Sequence, residues 1–174
     1  LDDILFYYDS IPTPIKKSIK EIRFEMDKEG SCCARGGVIS MTPDGFTSQK
    51  GSDFNAQRIL YHEAGHTFDA GLVPANQSVG DTTAFRDSKT NDKEKFASGY
   101  GFQHFTKTHS GSEDFAELVS MVCFNGLEDK TNAKIKQDEW SDSEDFETFK
   151  GNHEGAFNFV EGLMNGNITS DDLD

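Results

Sequence analysis

Apolar residues recur at helical spacing in several stretches of the chain, and segments that contain glycine or proline separate these stretches. The clearest stretch begins after Ser52 or Asp53, which can cap a helix, and ends near Gly71, just before Pro74. Its apolar side is formed by Ala56, Ile59, Leu60, Ala64 and Phe68. The spacing therefore predicts a helix over about residues 53–71.

A second stretch predicts a helix over about residues 112–125. It begins at Ser110 or Ser112, carries two acidic residues in its first turn, where negative charge is favourable, and ends near Gly126. Its apolar stripe consists of Phe115, Leu118, Val119 and Val122.

The segments around these helices predict a small sheet and a long surface loop. A lysine-rich helix is expected to run into a strand near residues 22–26. The segment Gly37, Val38, Ile39, Ser40 and Met41 lies between glycines and a turn, which predicts a second strand at a candidate sheet edge. Residues 76–101 are polar and rich in glycine, which predicts a surface excursion with one solvated helix around Lys93.

Residues 143–164 predict a closing helical region that Gly151 divides in two. His153, within it, has no partner that the sequence reveals and is expected at the surface. The order of these elements predicts an α+β fold, in which residues 1–174 form a single domain with a small twisted sheet and a C-terminal helical part.

The charge and the hydropathy of the chain restrict the classes of partner that it can bind. The chain has 17 basic and 31 acidic residues, a net charge of −14, so its field repels phosphate backbones and anionic lipids. No apolar run approaches the roughly 20 residues that a membrane-spanning helix requires. We therefore expect a protein that has no membrane span and does not bind nucleic acid. We also expect it to be a monomer.

Two features bear on the compartment. Glycosylation-type triplets begin at Asn76 and Asn167, which favours a secreted or extracellular protein. The odd number of cysteines, Cys32, Cys33 and Cys123, defines no disulfide framework.

The strongest motif is His62-Glu63-Ala64-Gly65-His66, in the middle of the clearest predicted helix. His62 and His66 are one turn apart on the same face, so both imidazoles can reach one zinc ion. Glu63 points about 100° away around the helix, where it can accept a proton from an attacking water. The motif predicts a catalytic zinc site with Glu63 as the general base.

A catalytic zinc needs a third protein ligand, and the sequence restricts the choice. The metzincin pattern requires a glycine and a histidine where this chain has Asp69 and Leu72, which excludes that class. A gluzincin takes a glutamate from a later helix, and Glu113 and Glu117 lie one turn apart in the second predicted helix. Spacing alone does not choose between these two glutamates.

Residues 61–69, Tyr-His-Glu-Ala-Gly-His-Thr-Phe-Asp, and residues 113–117, Glu-Asp-Phe-Ala-Glu, resemble the two motifs of a known family. This is the family of the anthrax lethal factor catalytic domain and the clostridial Pro-Pro endopeptidases, which are gluzincin zinc metallopeptidases. The resemblance implies a zincin-like fold, one zinc ion per chain, and a peptide or protein substrate. It also implies that Glu113 is the third ligand and that Glu117 supports the site from behind the ligands.

The chain departs from this family at one position. The family has a tyrosine seven residues before the ligand glutamate, where it stabilises the oxyanion, and this chain has Thr106 there. Tyr100-Gly101 resembles the family's Tyr-Gly pair if about six residues are inserted, which makes Tyr100 the candidate for this role.

Other residues have roles that the sequence leaves open. Asp69 lies on the histidine stripe, where it either orients an imidazole or solvates the end of the helix. His104 and His109 lie near the second helix and are alternative ligands or oxyanion donors. In zincins an extended substrate adds to a sheet edge, and the resemblance assigns this role to the strand Gly37–Met41.

Zinc-dependent endopeptidase activity is the function that these residues favour. The missing tyrosine at position 106 motivates an alternative, a zinc-binding but proteolytically weak module derived from a toxin or acting as an inhibitor. A structural zinc site is a further alternative, which would require four protein ligands and would recruit His104, His109 or a cysteine.

Overall fold

The structure is a computed structural model that describes residues 2–30, 32–43, 56–92, 96–125, 127 and 145–173. These residues form a mixed α and β structure that is mostly helical with a small three-stranded sheet, in agreement with the predicted α+β class. The helices are α1 (Asp2–Ser10), α2 (Thr13–Lys16), α3 (Ala56–Leu72), α4 (Thr83–Ser88), α5 (Gly99–Thr108), α6 (Ser112–Asn125), α7 (Phe146–Asn152) and α8 (Glu154–Met164). The strands are β1 (Glu21–Phe24), β2 (Cys33–Arg35) and β3 (Val38–Met41), and short 3₁₀ turns occupy Val79–Asp81 and Ser170–Asp172.

The sheet has the order β1-β3-β2, with β1 parallel and β2 antiparallel to β3. β3 is therefore paired on both sides, and the predicted sheet edge at Gly37–Met41 is wrong. The reason is the pair Gly36 and Gly37, whose φ angles of 61° and 87° form a tight turn that folds β2 back onto β3. The substrate-edge role predicted for this strand is wrong for the same reason, and the outer strands of the described sheet are β1 and β2.

The centre of the fold is the crossing of α3 and α6, the two helices that carry the sequence motifs. The crossing is close because Gly65 faces the backbone of α6, where an added Cβ would lie 2.9 Å from the Cα of Ala116. The ring of Tyr61 meets that of Phe124 edge to face, with centroids 4.9 Å apart, further along the same interface. Packing between these two faces thus sets how near the two motifs come.

The segment after α3 is partly buried, unlike the surface excursion predicted for residues 76–101. Val79 and Phe85 are almost fully buried, and the Phe85 ring lies 5.7 Å from the rings of both Phe115 and Phe159. The predicted helix around Lys93 lies outside the described residues. Phe85 therefore joins the segment to the core, which its polar composition did not reveal.

The C-terminal region forms two helices, as predicted, but they meet at His153 rather than at Gly151. His153 is also buried, with none of its surface exposed, and its ring centroid lies 4.5 Å from that of Phe149. The predicted surface position of His153 is wrong because the residue lies at the junction of α7 and α8, where Phe149 packs against its ring. Among the described residues, no helix is long and apolar enough to cross a membrane.

We predict that Gly65→Ala lowers the free energy of unfolding by about 1–3 kcal/mol, because the added methyl forces α3 away from α6. Urea unfolding measures this change. Gly71→Ala in the same helix is the matched control, since its methyl would meet only the Ser18 Cβ at 3.7 Å. We expect the control to be neutral or slightly stabilising, and equal destabilisation of both variants would contradict the prediction.

We predict that His153 makes stability depend on pH. Burial, together with the nearby charge of Lys89, lowers the pKa of His153 to about 4, whereas an unfolded chain takes up this proton near pH 6.5. The contribution of His153 to stability is therefore fully present above pH 6.5 and is lost as the pH falls towards 4, by about 2 kcal/mol between pH 8 and pH 5. Urea unfolding at both pH values should show a smaller loss in His153→Gln, and an equal loss in both proteins would argue against it.

Candidate metal centre

The two crossing helices bring the predicted ligands together. His62 and His66 lie one turn apart on α3, so their imidazoles leave the helix on the same side. Glu113 lies in the first turn of α6, where its carboxylate faces the two imidazoles across the helix crossing. Within the described part of the chain, these three residues form the one group of His, Cys, Asp or Glu side chains arranged to hold a metal ion.

The three ligand atoms form a small and nearly regular triangle. Glu113 Oε2 lies 3.0 Å from His62 Nε2 and 3.2 Å from His66 Nε2, and the two imidazole nitrogens are 3.2 Å apart. A tetrahedral zinc with ligands at about 2.0–2.1 Å requires its ligand atoms to be about 3.3 Å apart. The triangle therefore fits three corners of a tetrahedral zinc site, and within the described part of the chain no further residue joins the group at the fourth corner.

Glu117 lies behind His62, the position from which the resemblance predicts that it supports the site. Its side chain is fully buried, and its Oε1 lies 3.4 Å from His62 Nδ1, on the side of the ring away from the triangle. Its other oxygen accepts a hydrogen bond from the guanidinium of Arg58, which is also buried. An imidazole whose second N–H points towards a carboxylate is a common arrangement behind metal ligands.

The acidic and basic groups of the triangle shift one another's pKa. Burial raises the pKa of Glu113, but the contacts with His62 and His66 outweigh burial and hold that pKa well below its usual range. Burial likewise lowers the pKa of His62, yet Glu113 and Glu117 raise it to about 10. A cation that binds here therefore has to displace a proton from His62.

Glu63 lies beside the triangle with an oxygen available. Its side chain is nearly buried, and its Oε2 is a buried atom that accepts no hydrogen bond within the described part of the chain. Burial raises the pKa of Glu63, and the opposing influence of His62 and His66 does not cancel this. A carboxylate with a free acceptor and a raised pKa, next to a metal-ligand triangle, is suited to accept a proton.

Tyr100 reaches the site from the first turn of α5. Its ring centroid lies 6.2 Å from that of His62, and 49% of its surface is exposed. Burial and the neighbouring carboxylates of Glu113, Glu117 and Glu63 raise its pKa to about 12. The phenol is therefore protonated at neutral pH and can donate a hydrogen bond at the open side of the site.

The placement of Tyr100 depends on how α5 begins. Ser98 caps the helix by accepting a hydrogen bond from the Gly101 backbone N–H. Gly101 lies against α6, where an added Cβ would be 3.2 Å from the Cα of Asp114. The Tyr-Gly pair thus sets α5 next to the helix that carries Glu113.

The structure does not bring His104 or His109 into the ligand group. His104 Nδ1 lies 3.2 Å from the hydroxyl of Thr108 on the same helix, and His109 ends α5 with a φ of 59°. The described cysteines are likewise outside the group. The described residues thus provide three ligands, which is fewer than the four that a structural zinc site requires.

Asp69 has a different role from either of those expected. One of its oxygens accepts a hydrogen bond from Ser78 Oγ at 2.7 Å and the other accepts one from the Val79 backbone N–H at 2.6 Å. Its carboxylate is buried and holds the segment that follows α3, and it accepts no hydrogen bond from an imidazole of the described residues.

Two supporting residues were missed by the sequence reasoning. Arg58 lies four residues before His62, on the ligand face of α3, and its helical spacing could have revealed it. Asp81 accepts hydrogen bonds from Ser110 Oγ and from the Gly111 backbone N–H, directly before Glu113. Nothing in the local sequence indicates this second contact, since it joins residues about thirty positions apart.

Comparison of the chain with protein-family models, with curated proteins and with solved structures finds no match, so the geometry of the site carries the functional argument.

Proposed function

We propose that this protein is a zinc-dependent endopeptidase of the gluzincin type, which binds one zinc ion through His62, His66 and Glu113. The observation that carries the proposal is the triangle of ligand atoms, with sides of 3.0–3.2 Å, beside the free oxygen of Glu63. Three ligands with an open fourth position are the arrangement of catalytic rather than structural zinc sites.

The proposed reaction divides the work between the metal and the protein. When bound, zinc would polarise the scissile carbonyl and lower the pKa of the attacking water towards 7. Glu63 accepts a proton from that water while the oxygen of the water bonds to the carbonyl carbon. Glu63 then gives the proton to the leaving nitrogen as the C–N bond breaks, so that the products are a carboxylic acid and an amine, which become a carboxylate and an ammonium group at neutral pH.

Tyr100 is proposed to stabilise the charge that develops on the carbonyl oxygen. Its position near His62 and its protonated phenol allow it to donate a hydrogen bond to that oxygen. Its exposure is consistent with this role, because a group that acts on substrate has to be accessible from solvent.

We predict that Glu63→Gln still binds zinc but cleaves peptides about 10²–10⁴ times more slowly than the wild type, because the amide cannot accept the proton. The measurements are zinc content by elemental analysis and cleavage of a diverse peptide library. The exposed Glu154→Gln is the matched control, with wild-type values expected for both quantities.

The outcomes separate the alternatives. Equal cleavage by wild type and Glu63→Gln would contradict the assignment of the base. Zinc in both proteins without cleavage by either would favour the proteolytically weak binding module. A wild type that takes up no zinc would contradict the metal centre itself.

We predict that Tyr100→Phe lowers kcat by a factor of about 10–10³ and leaves KM nearly unchanged, because the lost hydrogen bond forms only as the oxyanion develops. Steady-state kinetics on a peptide from the same library measure both constants. Tyr8→Phe, in α1 and away from the site, is the control. An unchanged kcat for Tyr100→Phe would remove Tyr100 from the mechanism.

A further inference from the structure

The ion pair between Arg58 and Glu117 continues directly into the candidate metal centre. Arg58 is 1% exposed and Glu117 is fully buried, so water does not screen the pair. Glu117 uses one carboxylate oxygen for Arg58, while the other faces His62 Nδ1 at 3.4 Å. The side chains of Arg58, Glu117 and His62 thus form a row of contacts, and His62 at its end is a candidate metal ligand.

The chain of contacts follows from two matching helical repeats. Arg58, His62 and His66 are spaced by four residues on α3, and Glu113 and Glu117 are spaced by four residues on α6. Residues spaced by four lie on one helix face, one turn apart. The crossing therefore sets Arg58 opposite Glu117 at the same time as it sets His62 opposite Glu113.

The charges of the site balance only when Arg58 is counted. Among the described residues, the carboxylates of Glu63, Glu113 and Glu117 surround the imidazoles and together carry three negative charges when ionised. Neutral imidazoles and one divalent cation would leave a net charge of −1 in a buried place. The guanidinium of Arg58 supplies the missing positive charge, and buried charges require such compensation.

We propose that Arg58 is a positioning residue for the metal centre. Through Glu117 it fixes the His62 ring, so that Nδ1 carries the hydrogen that points to Glu117 and the Nε2 lone pair points to the triangle of ligand atoms. This inference rests on the metal centre proposed above. It assigns to the pair a role in metal binding beyond that of holding α3 and α6 together.

The direction in which zinc affinity changes when Arg58 is removed shows whether Arg58 acts by positioning His62 or only through its charge. A positive charge near a bound cation repels it, so removal of Arg58 would raise zinc affinity if charge alone mattered. If Arg58 positions His62 through Glu117, removal of Arg58 lowers zinc affinity, as loss of such supporting residues typically does by 10- to 100-fold.

The experiment compares zinc dissociation constants, measured by competition with a chromophoric chelator. Arg58→Met is expected to weaken zinc binding by roughly 10- to 100-fold. Arg58→Lys keeps the buried charge but not the planar guanidinium, and we expect a smaller weakening. Arg23→Met removes an exposed ion pair of the sheet and is the control, with wild-type affinity expected.

A double-variant comparison tests whether Arg58 acts through Glu117. If it does, Arg58→Met combined with Glu117→Gln weakens zinc binding no more than Glu117→Gln alone, because both substitutions remove the same positioning of His62. The proton NMR signal of His62 Nδ1–H in the zinc-loaded protein provides a second readout. It is expected to be protected from exchange in the wild type and to lose protection in Arg58→Met.

Unchanged or raised zinc affinity in Arg58→Met would overturn the inference. If that variant does not fold, wild-type affinity and wild-type protection of the His62 signal in Arg58→Lys would overturn it equally. Additive losses in the double variant would overturn the route through Glu117. A wild type without zinc would instead overturn the metal centre and this inference with it.

Discussion

The close crossing of α3 and α6 is the contact on which the rest of the site depends. One helix carries both histidines and Glu63, and the other carries Glu113 and Glu117. Gly65 lies at the crossing, where even a methyl group would come within 2.9 Å of the opposite backbone. Ligand atoms 3.0–3.2 Å apart leave little tolerance, so a slightly wider crossing would separate Glu113 from the imidazoles. The packing of Gly65 against α6, which involves no reactive group, therefore sets the distances between the polar groups of the site.

The site concentrates ionisable groups in a part of the protein that excludes water. Such groups are stable together only if their charges compensate, which is visible in the opposite pKa shifts of His62 and Glu113. Arg58 extends this compensation to Glu117, whose pKa Arg58 and His62 together lower to about 2 against the effect of burial. Among the described residues of the site, the carboxylates of Glu63, Glu113 and Glu117 outnumber the one guanidinium, an imbalance that a divalent cation could offset.

Local features of the fold were largely predictable. The helix at residues 112–125 occupies the residues that its apolar stripe and acidic first turn indicate, since helical periodicity depends only on near neighbours in sequence. The helix that carries the histidines begins at Ala56 in the described residues and ends at Leu72, one residue beyond the prediction. The predicted sheet edge is wrong because a glycine pair marks the end of a strand in sequence, whereas the pair at 36–37 forms the hairpin turn between β2 and β3.

The sequence by itself determined the residues that could hold a metal ion and their order along two helices, because spacing by four residues sets side chains on one helix face whatever surrounds them. Only the tertiary structure decided which later glutamate meets the histidines, since His62 and Glu113 are 51 residues apart and meet through packing. It also buried His153, assigned Asp69 to a loop and brought Tyr100 beside His62. These outcomes depend on contacts between distant segments, which local propensity and periodicity do not encode.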